Sequence, residues 1–340
     1  MNLEPKGGQK VFNFGTSVHA GMEGYYDPRS WGDTEIMQAS ALANFVHSEE
    51  QFRLAEGDNI SFELQAEYAE RMVLGTGMLK HYFTWAPEMD KDLTPVKVEV
   101  EFEVPVPCTP EQLEQLKAGP RWRSTGGELH YRTNAVATGA DNWVPVVYQG
   151  RIDLLFQDKW GYYWIVDHKT AAQFGSVDYL DLDEQCGSYC WAMQKMLGLP
   201  IQGVIYNRLL KSVPKPPQEL VRGGFSQNKQ QKTTYAIYKK TLEENNEPYA
   251  PYADFLEYLK AQPNSFFARH QVHRNQTELQ NLERQIVMEA IEMLDDPWIY
   301  PNPGMFNCMG CAYRIPCLAV NDGSDLTYIM ENFKVREPSE

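Results

Sequence analysis

The sequence predicts an α/β protein: a mixed central β-sheet flanked by helices, with helical additions at the N-terminal and C-terminal ends. Three observations carry that prediction. Apolar residues recur at helical spacing up to about Ala86. The period then drops to two in VKVEVEFEVPV (96–106). After a polar stretch the chain continues as strand, strand, helix, strand. A helix crossing over before the last strand makes that strand parallel to its predecessor, so the sheet is mixed.

VFNFGTSVHAGMEGYY reads as a turn at Gly15 and Thr16 feeding a helix, with His19 and Glu23 at i and i+4 on one face. Two more helices follow, in DTEIMQASALANFVHSEEQFRLAEG and SFELQAEYAERMVLGTGMLKHYFTWA. Strict alternation of Val or Phe with Glu marks 96–106 as a half-buried strand. Beyond a polar, Gly-containing excursion from about Thr109 to Asn142, VPVVYQGRIDLLFQD and YYWIVDHKTA form two strands joined by a turn at Lys159–Gly161. DEQCGSYCWAMQKMLG is a helix closed by Gly198 and Pro200, and IQGVIYNRLLK is a further strand. Residues from Lys211 to Lys240 read as an exposed or partly ordered basic loop. Helices around Ala250–Ala261 and Thr277–Leu294 lead to PNPGMFNCMGCAYRIPC. No internal repeat is present.

The 340 residues, 43% of them hydrophobic, can build a real core. The longest apolar runs fall well short of the ~20 residues that span a membrane. The N-terminus lacks the apolar core of a secretory signal, so a soluble cytoplasmic protein is expected. A net charge of −15 argues against a nucleic-acid partner on its face. A local basic stripe on an acidic body, however, still binds phosphates. Lys211, Lys215, Arg222, Lys229, Lys232, Lys239 and Lys240 are the candidates for such a stripe, with Tyr235 and Tyr238 interleaved for stacking and Arg269 and Arg274 adding to the same surface.

Asp153 lies in one strand and Asp167 with Lys169 in the next, so antiparallel pairing brings the carboxylates to one strand end. Residues two apart share a strand face, which aims Asp167 and Lys169 into one cleft. Carboxylates that hold Mg²⁺ or Mn²⁺, beside an ammonium that places water, are what phosphodiester hydrolysis needs. Taken alone, Asp-x-Lys at a strand end is an exposed ion pair of little worth.

His19 with Glu23, Asp153, Asp167-x-Lys169 and Gln185-x-x-x-Tyr189 in this order resemble the RecB-type branch of the PD-(D/E)XK nucleases, which includes phage recombination exonucleases, AddB-type nuclease domains and CRISPR-associated iron–sulfur exonucleases. The resemblance covers about Phe12 to Asp325 and is densest in FGTSVHAGMEGYY, GRIDLL, IVDHKTA, QCGSY and CMGCAYRIPC. It implies a restriction-endonuclease-like core. It further implies that His19, Asp153, Asp167 and the backbone carbonyl of His168 bind metal, that Lys169 orients or deprotonates the attacking water, and that Gln185 and Tyr189 contact the lysine or the DNA backbone. A family glutamate on the preceding strand has three possible counterparts, Glu99, Glu101 and Glu103, between which the alternation does not choose.

Cys308, Cys311 and Cys317 match the C-terminal part of the family's [4Fe–4S] staple and are expected to lie close together. The fourth ligand is not identified, since no cysteine precedes Cys108, and a structural zinc is the alternative. The resemblance implies one nuclease domain over 1–340: a helical part (12–95), a catalytic sheet (96–210), a basic loop with helices (211–300) and the cysteine cluster (301–325). The expected function is a DNA exonuclease of phage or bacterial recombination or repair, with recombination or replication proteins as partners. A non-catalytic DNA-binding or scaffold module and a metalloenzyme acting on a small phosphoester are the competing readings.

Overall fold

The alternation that marks the first long strand seeds a five-stranded sheet, and the helices before and after it cover opposite faces. The computed structural model describes residues 3–5, 10–57, 60–107, 111, 147–262, 264–295, 303–304, 308–309 and 311–335. In chain order, β1 (Leu3–Pro5) precedes three helices, α1 (Lys10–Tyr25), α2 (Thr34–Ala55) and α3 (Phe62–Asp90). Then come β2 (Leu93–Pro105), β3 (Val147–Asp158), β4 (Tyr163–Ala171), α4 (Glu184–Leu197) and β5 (Ile201–Leu210). The remainder comprises α5 (Tyr235–Glu244), α6 (Ala253–Ala261), β6 (Phe267–His273), α7 (Gln276–Asp295), α8 (Arg314–Asp322), α9 (Thr327–Met330) and β7 (Phe333–Val335). The polar excursion expected after Thr109 lies outside the described residues, apart from Glu111.

The sheet order is β2-β3-β4-β5-β6, antiparallel throughout except for the parallel β4–β5 pair that α4 connects. The α/β architecture is therefore the one expected. Short β1 and β7 form a separate antiparallel pair. The β3–β4 turn is held by Asp158, whose Oδ1 accepts from the N–H groups of Trp160 and Tyr162, both at 2.9 Å. Asp183 caps α4 by accepting from Cys186 N–H, and Gly198 closes that helix at φ +64, where a glycine carries no side-chain penalty.

Two cores sandwich the sheet. On the back, α1, α2 and α3 bury Phe14, Val18, Phe45, Met78, Leu79 and Tyr82 against Phe156, Val166, Ile205 and Leu209. On the front, α4 and α7 bury Cys190, Trp191, Met193, Leu279 and Ile286 against Ile152, Ile165 and Val204. Helices α2 and α3 approach so closely that a Cβ at Gly75 lies 2.0 Å from the Phe45 ring. None of the described helices is long and apolar enough to cross a membrane.

Several expectations require correction. No turn forms at Gly15 and Thr16, because α1 runs through them. The i, i+4, i+8 stripe Phe14–Val18–Met22 is buried in the back core, which outweighs a cost of about 1 kcal/mol for a helical glycine. FARHQVH forms the edge strand β6, which its sequence does not announce. The segment read as a basic loop contains helix α5, and Tyr238 is fully buried with Phe225, Leu242, Tyr252 and Phe255 in a small third core, so it cannot stack on a base.

Candidate active site

In the β2–β3 ladder Val98 pairs with Leu154 and Val100 with Ile152, so Glu99 and Asp153 stand opposite each other. Glu99 has φ +46, a left-handed conformation uncommon for any residue with a side chain. Side chains change sheet faces across this point. Val98 and Leu154 pack on the back core, whereas Val100 and Ile152 belong to the front core. The β3–β4 ladder ends at Leu154 and Val166. Asp153 and Asp167 are the next residues outward, and there the N–H of His168 donates to Asp153 Oδ2 at 2.7 Å instead of to the ladder. The sheet opens here, and both carboxylates sit at the opening.

Helix α1 delivers His19 to the same place, with Nδ1 3.4 Å from Asp153 Oδ1. One ligand atom each from His19, Glu99 and Asp153 fall within 4.8 Å of one another, the gathering that a divalent cation requires. Glu99 Oε2 is also held by Arg151 Nε at 2.8 Å. Lys169 Nζ donates to Asp167 Oδ1 at 2.9 Å, while Asp167 Oδ2 is buried and has no partner among the described residues. A buried acceptor left open is costly unless something positive completes it. The donor set therefore fits a hard divalent cation.

Burial and charge set the protonation of these groups. Burial and the neighbouring Asp153 raise Asp167 to about 6 against the pull of Lys169. Asp153 is also desolvated, yet the hydrogen bond and charge of His19 and the His168 N–H bring it down to about 2. Burial opposes charge on Lys169, but Asp167 overcomes it and raises the lysine. Burial raises Glu99 despite Arg151, with Asp153 adding to the effect. One end of the opening thus carries a firmly ionised carboxylate, the other a reluctant one.

Gln185 and Tyr189 share a face of α4, with Gln185 Nε2 donating to the Tyr189 hydroxyl at 3.0 Å. That hydroxyl lies within the electrostatic reach of Asp167, Lys169 and Asp153. The opposite side of α4 is anchored by Glu283 of α7, which accepts from Trp191 Nε1 and pairs with Lys195, both at 2.6 Å.

Sequence reasoning missed the support behind the site. Arg269 of β6 donates from Nη1 to Asp90 Oδ1 at 2.5 Å, from Nη2 to the hydroxyls of Tyr26 and Tyr82 at 2.9 and 2.8 Å, and from Nε to Asn207 Oδ1 at 3.1 Å. An arginine N–H only donates, so the Asn207 oxygen faces it and Nδ2 faces His168 Nδ1 at 2.8 Å. His168 Nδ1 therefore accepts. Burial lowers this imidazole to about 3, so it stays neutral. The Tyr26 ring stacks on His168 with centroids 5.9 Å apart. Arg269 is thus a buried structural cation and no part of a DNA surface. Arg274 is similarly engaged, donating to the carbonyls of Leu180 and Asp183 at 2.8 and 3.2 Å. Residues of opposite charge so far apart in the chain leave no local signal.

The family model described as the PD-(D/E)XK nuclease superfamily matches residues 2–318. The chain belongs to the PD-(D/E)XK nuclease superfamily. No curated protein matches it. Membership makes the opening of β3 and β4 the candidate centre of a metal-dependent nuclease. Of the three glutamates on β2, Glu99 is the one whose ligand atom gathers there with those of His19 and Asp153. Glu101 and Glu103 are exposed, and Glu103 accepts from Gln149.

The remaining candidates lie elsewhere in the nuclease. Cys308 is half-buried and Cys311 and Cys317 are exposed, and their sulfurs are not gathered within 4.8 Å of one another. Tetrahedral zinc thiolates stand ~3.8 Å apart for Zn–S bonds of ~2.3 Å, so no zinc knuckle is preformed. A [4Fe–4S] cluster takes four thiolates, and among the described residues this segment offers three. Most of the basic candidates already have partners. Lys211 sits over the Phe14 ring and Lys229 over Tyr258, and Lys232 donates to Ser212. Lys239 and Lys240 pair with Glu243 and Glu244. Lys215 and Arg222 are exposed with no side-chain partner among the described residues.

Proposed function

We propose that this nuclease is a DNA exonuclease whose centre is formed by His19, Glu99, Asp153, Asp167 and the His168 carbonyl around Mg²⁺ or Mn²⁺, with Lys169, Gln185 and Tyr189 beside it. The observation that carries this reading is the gathering of the His19, Glu99 and Asp153 ligand atoms within 4.8 Å, next to a buried Asp167 oxygen with no partner among the described residues. These residues would hold a divalent cation, which would supply polarisation of a phosphate oxygen and acidification of a water. Lys169, kept as ammonium by Asp167, suits orientation of the attacking water better than abstraction of its proton. The Gln185 amide and Tyr189 hydroxyl are placed to hold the lysine or a phosphate of the strand. The back network fixes His168 and, through its N–H, Asp153.

An ordered site with its acids and lysine in place disfavours a non-catalytic scaffold. The resemblance to phage recombination exonucleases of the RecB type supports one nuclease domain acting in phage or bacterial recombination or repair, in the cytoplasm and with partners of those pathways. Cys308, Cys311 and Cys317 stand where that branch places three of its iron–sulfur thiolates, and a cluster on them would need a fourth ligand. Digestion of end-labelled linear DNA with Mg²⁺ or Mn²⁺, beside a covalently closed circle, tests the proposal. Release of mononucleotides or short fragments from linear DNA with the circle intact supports an exonuclease, whereas nicking of the circle makes it an endonuclease.

A further inference from the structure

Strand parity places a second set of residues on the front face beside the candidate centre. In the parallel β4–β5 ladder Asp167 pairs with Tyr206 and Lys169 with Arg208. In the β5–β6 ladder Tyr206 pairs with His270. Paired residues project to the same side of a sheet, so Asp167, Lys169, Tyr206, Arg208 and His270 share one face, with neighbouring strands about 4.8 Å apart. Helices α4 and α7 cover the lower part of that face through Ile165 and Val204, and the segment carrying Phe174, Gly175 and Tyr179 lies beside the upper part.

Arg208 is unlike the other arginine at the heart of the sheet. Among the described residues no carboxylate pairs with it. Nη1 donates to the Gly175 carbonyl and Nη2 to His270 Nε2, both at 2.8 Å, while Nε is buried with no acceptor. Its guanidinium lies over the Phe174 ring, 4.7 Å from the centroid, which fixes the plane without neutralising the charge. Because arginine only donates, His270 Nε2 accepts and its proton stays on Nδ1. The Tyr206 and exposed Tyr179 hydroxyls lie 3.3 Å apart next to this group. A chain with net charge −15 thus keeps a guanidinium without a carboxylate partner and a tyrosine hydroxyl on the strand next to its candidate catalytic lysine, with the His270 imidazole one strand further and the Tyr179 hydroxyl beside them. Such a set of donors recognises a tetrahedral oxyanion.

We propose that Arg208, with His270, Tyr206 and Tyr179, is a phosphate-binding subsite that holds the substrate strand one phosphate away from the bond being cut. The inference rests on the nuclease reading above and adds to it where the strand runs, across β4 toward β5 and β6. The phosphate is either an internal diester of the strand or a terminal monoester.

Binding of labelled oligonucleotides in EDTA, with and without a terminal phosphate and over a range of salt, separates these ideas. Arg208→Gln is expected to weaken affinity roughly tenfold or more, the effect of losing a charge-assisted hydrogen bond. It is also expected to reduce the slope of log affinity against log salt by ~0.7–0.9, the signature of one lost phosphate contact, which a merely structural defect does not produce. Arg208→Lys keeps the charge and is expected to retain the slope. Tyr179→Phe, at an exposed hydroxyl that does not threaten the fold, should weaken binding by a few-fold. A loss confined to end-phosphorylated oligonucleotides assigns the subsite to a terminal phosphate, and an equal loss on both assigns it to an internal one. In cleavage, Arg208→Gln should cost at least roughly tenfold more with an oligonucleotide than with bis(p-nitrophenyl) phosphate, which has no second phosphate to hold. A wild type that binds with the full salt slope but cuts nothing would refute the nuclease reading and leave the subsite standing. Wild-type affinity and salt slope in both Arg208→Gln and Tyr179→Phe overturn the subsite itself.

Discussion

Behind β4, Arg269 donates to Asp90, Asn207, Tyr26 and Tyr82, and its charge is matched by a buried carboxylate. In front of β4, Arg208 meets no carboxylate among the described residues and Asp167 keeps a buried oxygen without a partner. The same strands therefore carry a satisfied polar network on one face and an unsatisfied one on the other. Satisfied networks hold geometry, whereas open donors and acceptors hold ligands. The two meet at His168, whose side chain is fixed from behind by Asn207 and whose N–H fixes Asp153 in front.

The comparison breaks most visibly at Asp167. Asp167→Asn removes a proposed metal ligand, and with it several kcal/mol of transition-state stabilisation, so cleavage should fall by on the order of a thousandfold. The same change removes a buried charge whose second oxygen is unpartnered, so thermal unfolding should show a gain of about 1 kcal/mol. A loss of stability there contradicts the view that the front face is poised for a ligand. Behind the strand the sign reverses. Arg269→Met leaves Asp90 buried and unpaired, and denaturant unfolding should show a loss of about 3–5 kcal/mol, with Asp90→Asn added to it recovering part of the loss.

Glu99→Gln sharpens the front face further. It removes one of three gathered ligands, so Mn²⁺ affinity measured by calorimetry should drop roughly tenfold or more at unchanged fold. Glu101→Gln, at an exposed position on the same strand, should leave it unaltered. The smallest effect belongs to the anchor of α4. Hydrogen bonds from Lys195 and Trp191 outweigh burial and lower the Glu283 carboxyl. A lowered folded value contributes stability above the unfolded value of 4.5 and loses it as pH falls below that value. Glu283→Gln should therefore cost about 1 kcal/mol or less near neutral pH, discounted for solvent screening, and the difference from wild type should fade in acid.

What could be read from the sequence was what local pattern encodes. The strand announced at 96–106, the helical stripes and the turn at Lys159–Gly161 depend on near neighbours, and these elements appear in the fold as expected, although the alternation of the strand breaks at Glu99. Asp153, Asp167 and Lys169 were legible because two strands and a tight turn leave few ways to pair them. Glu99 could not be chosen over Glu101 and Glu103, because its selection depends on a left-handed backbone that breaks the alternation the sequence displays. Strand β6 was hidden because Arg269 in FARHQVH is buried only through Asp90, 179 positions earlier. Helix α1 overrode its own Gly15 through tertiary burial, and Tyr238 looked like a surface aromatic until a third core enclosed it.

The central claim is that the opening between β3 and β4 is a metal-dependent phosphodiesterase centre. Its most direct test is the rate of hydrolysis of a labelled linear DNA by wild-type protein and by Asp153→Ala at matched thermal stability, with Mg²⁺, with Mn²⁺ and with EDTA. The account predicts cleavage by the wild type with either cation, none in EDTA, and none by Asp153→Ala under any condition. Cleavage by Asp153→Ala at the wild-type rate contradicts it.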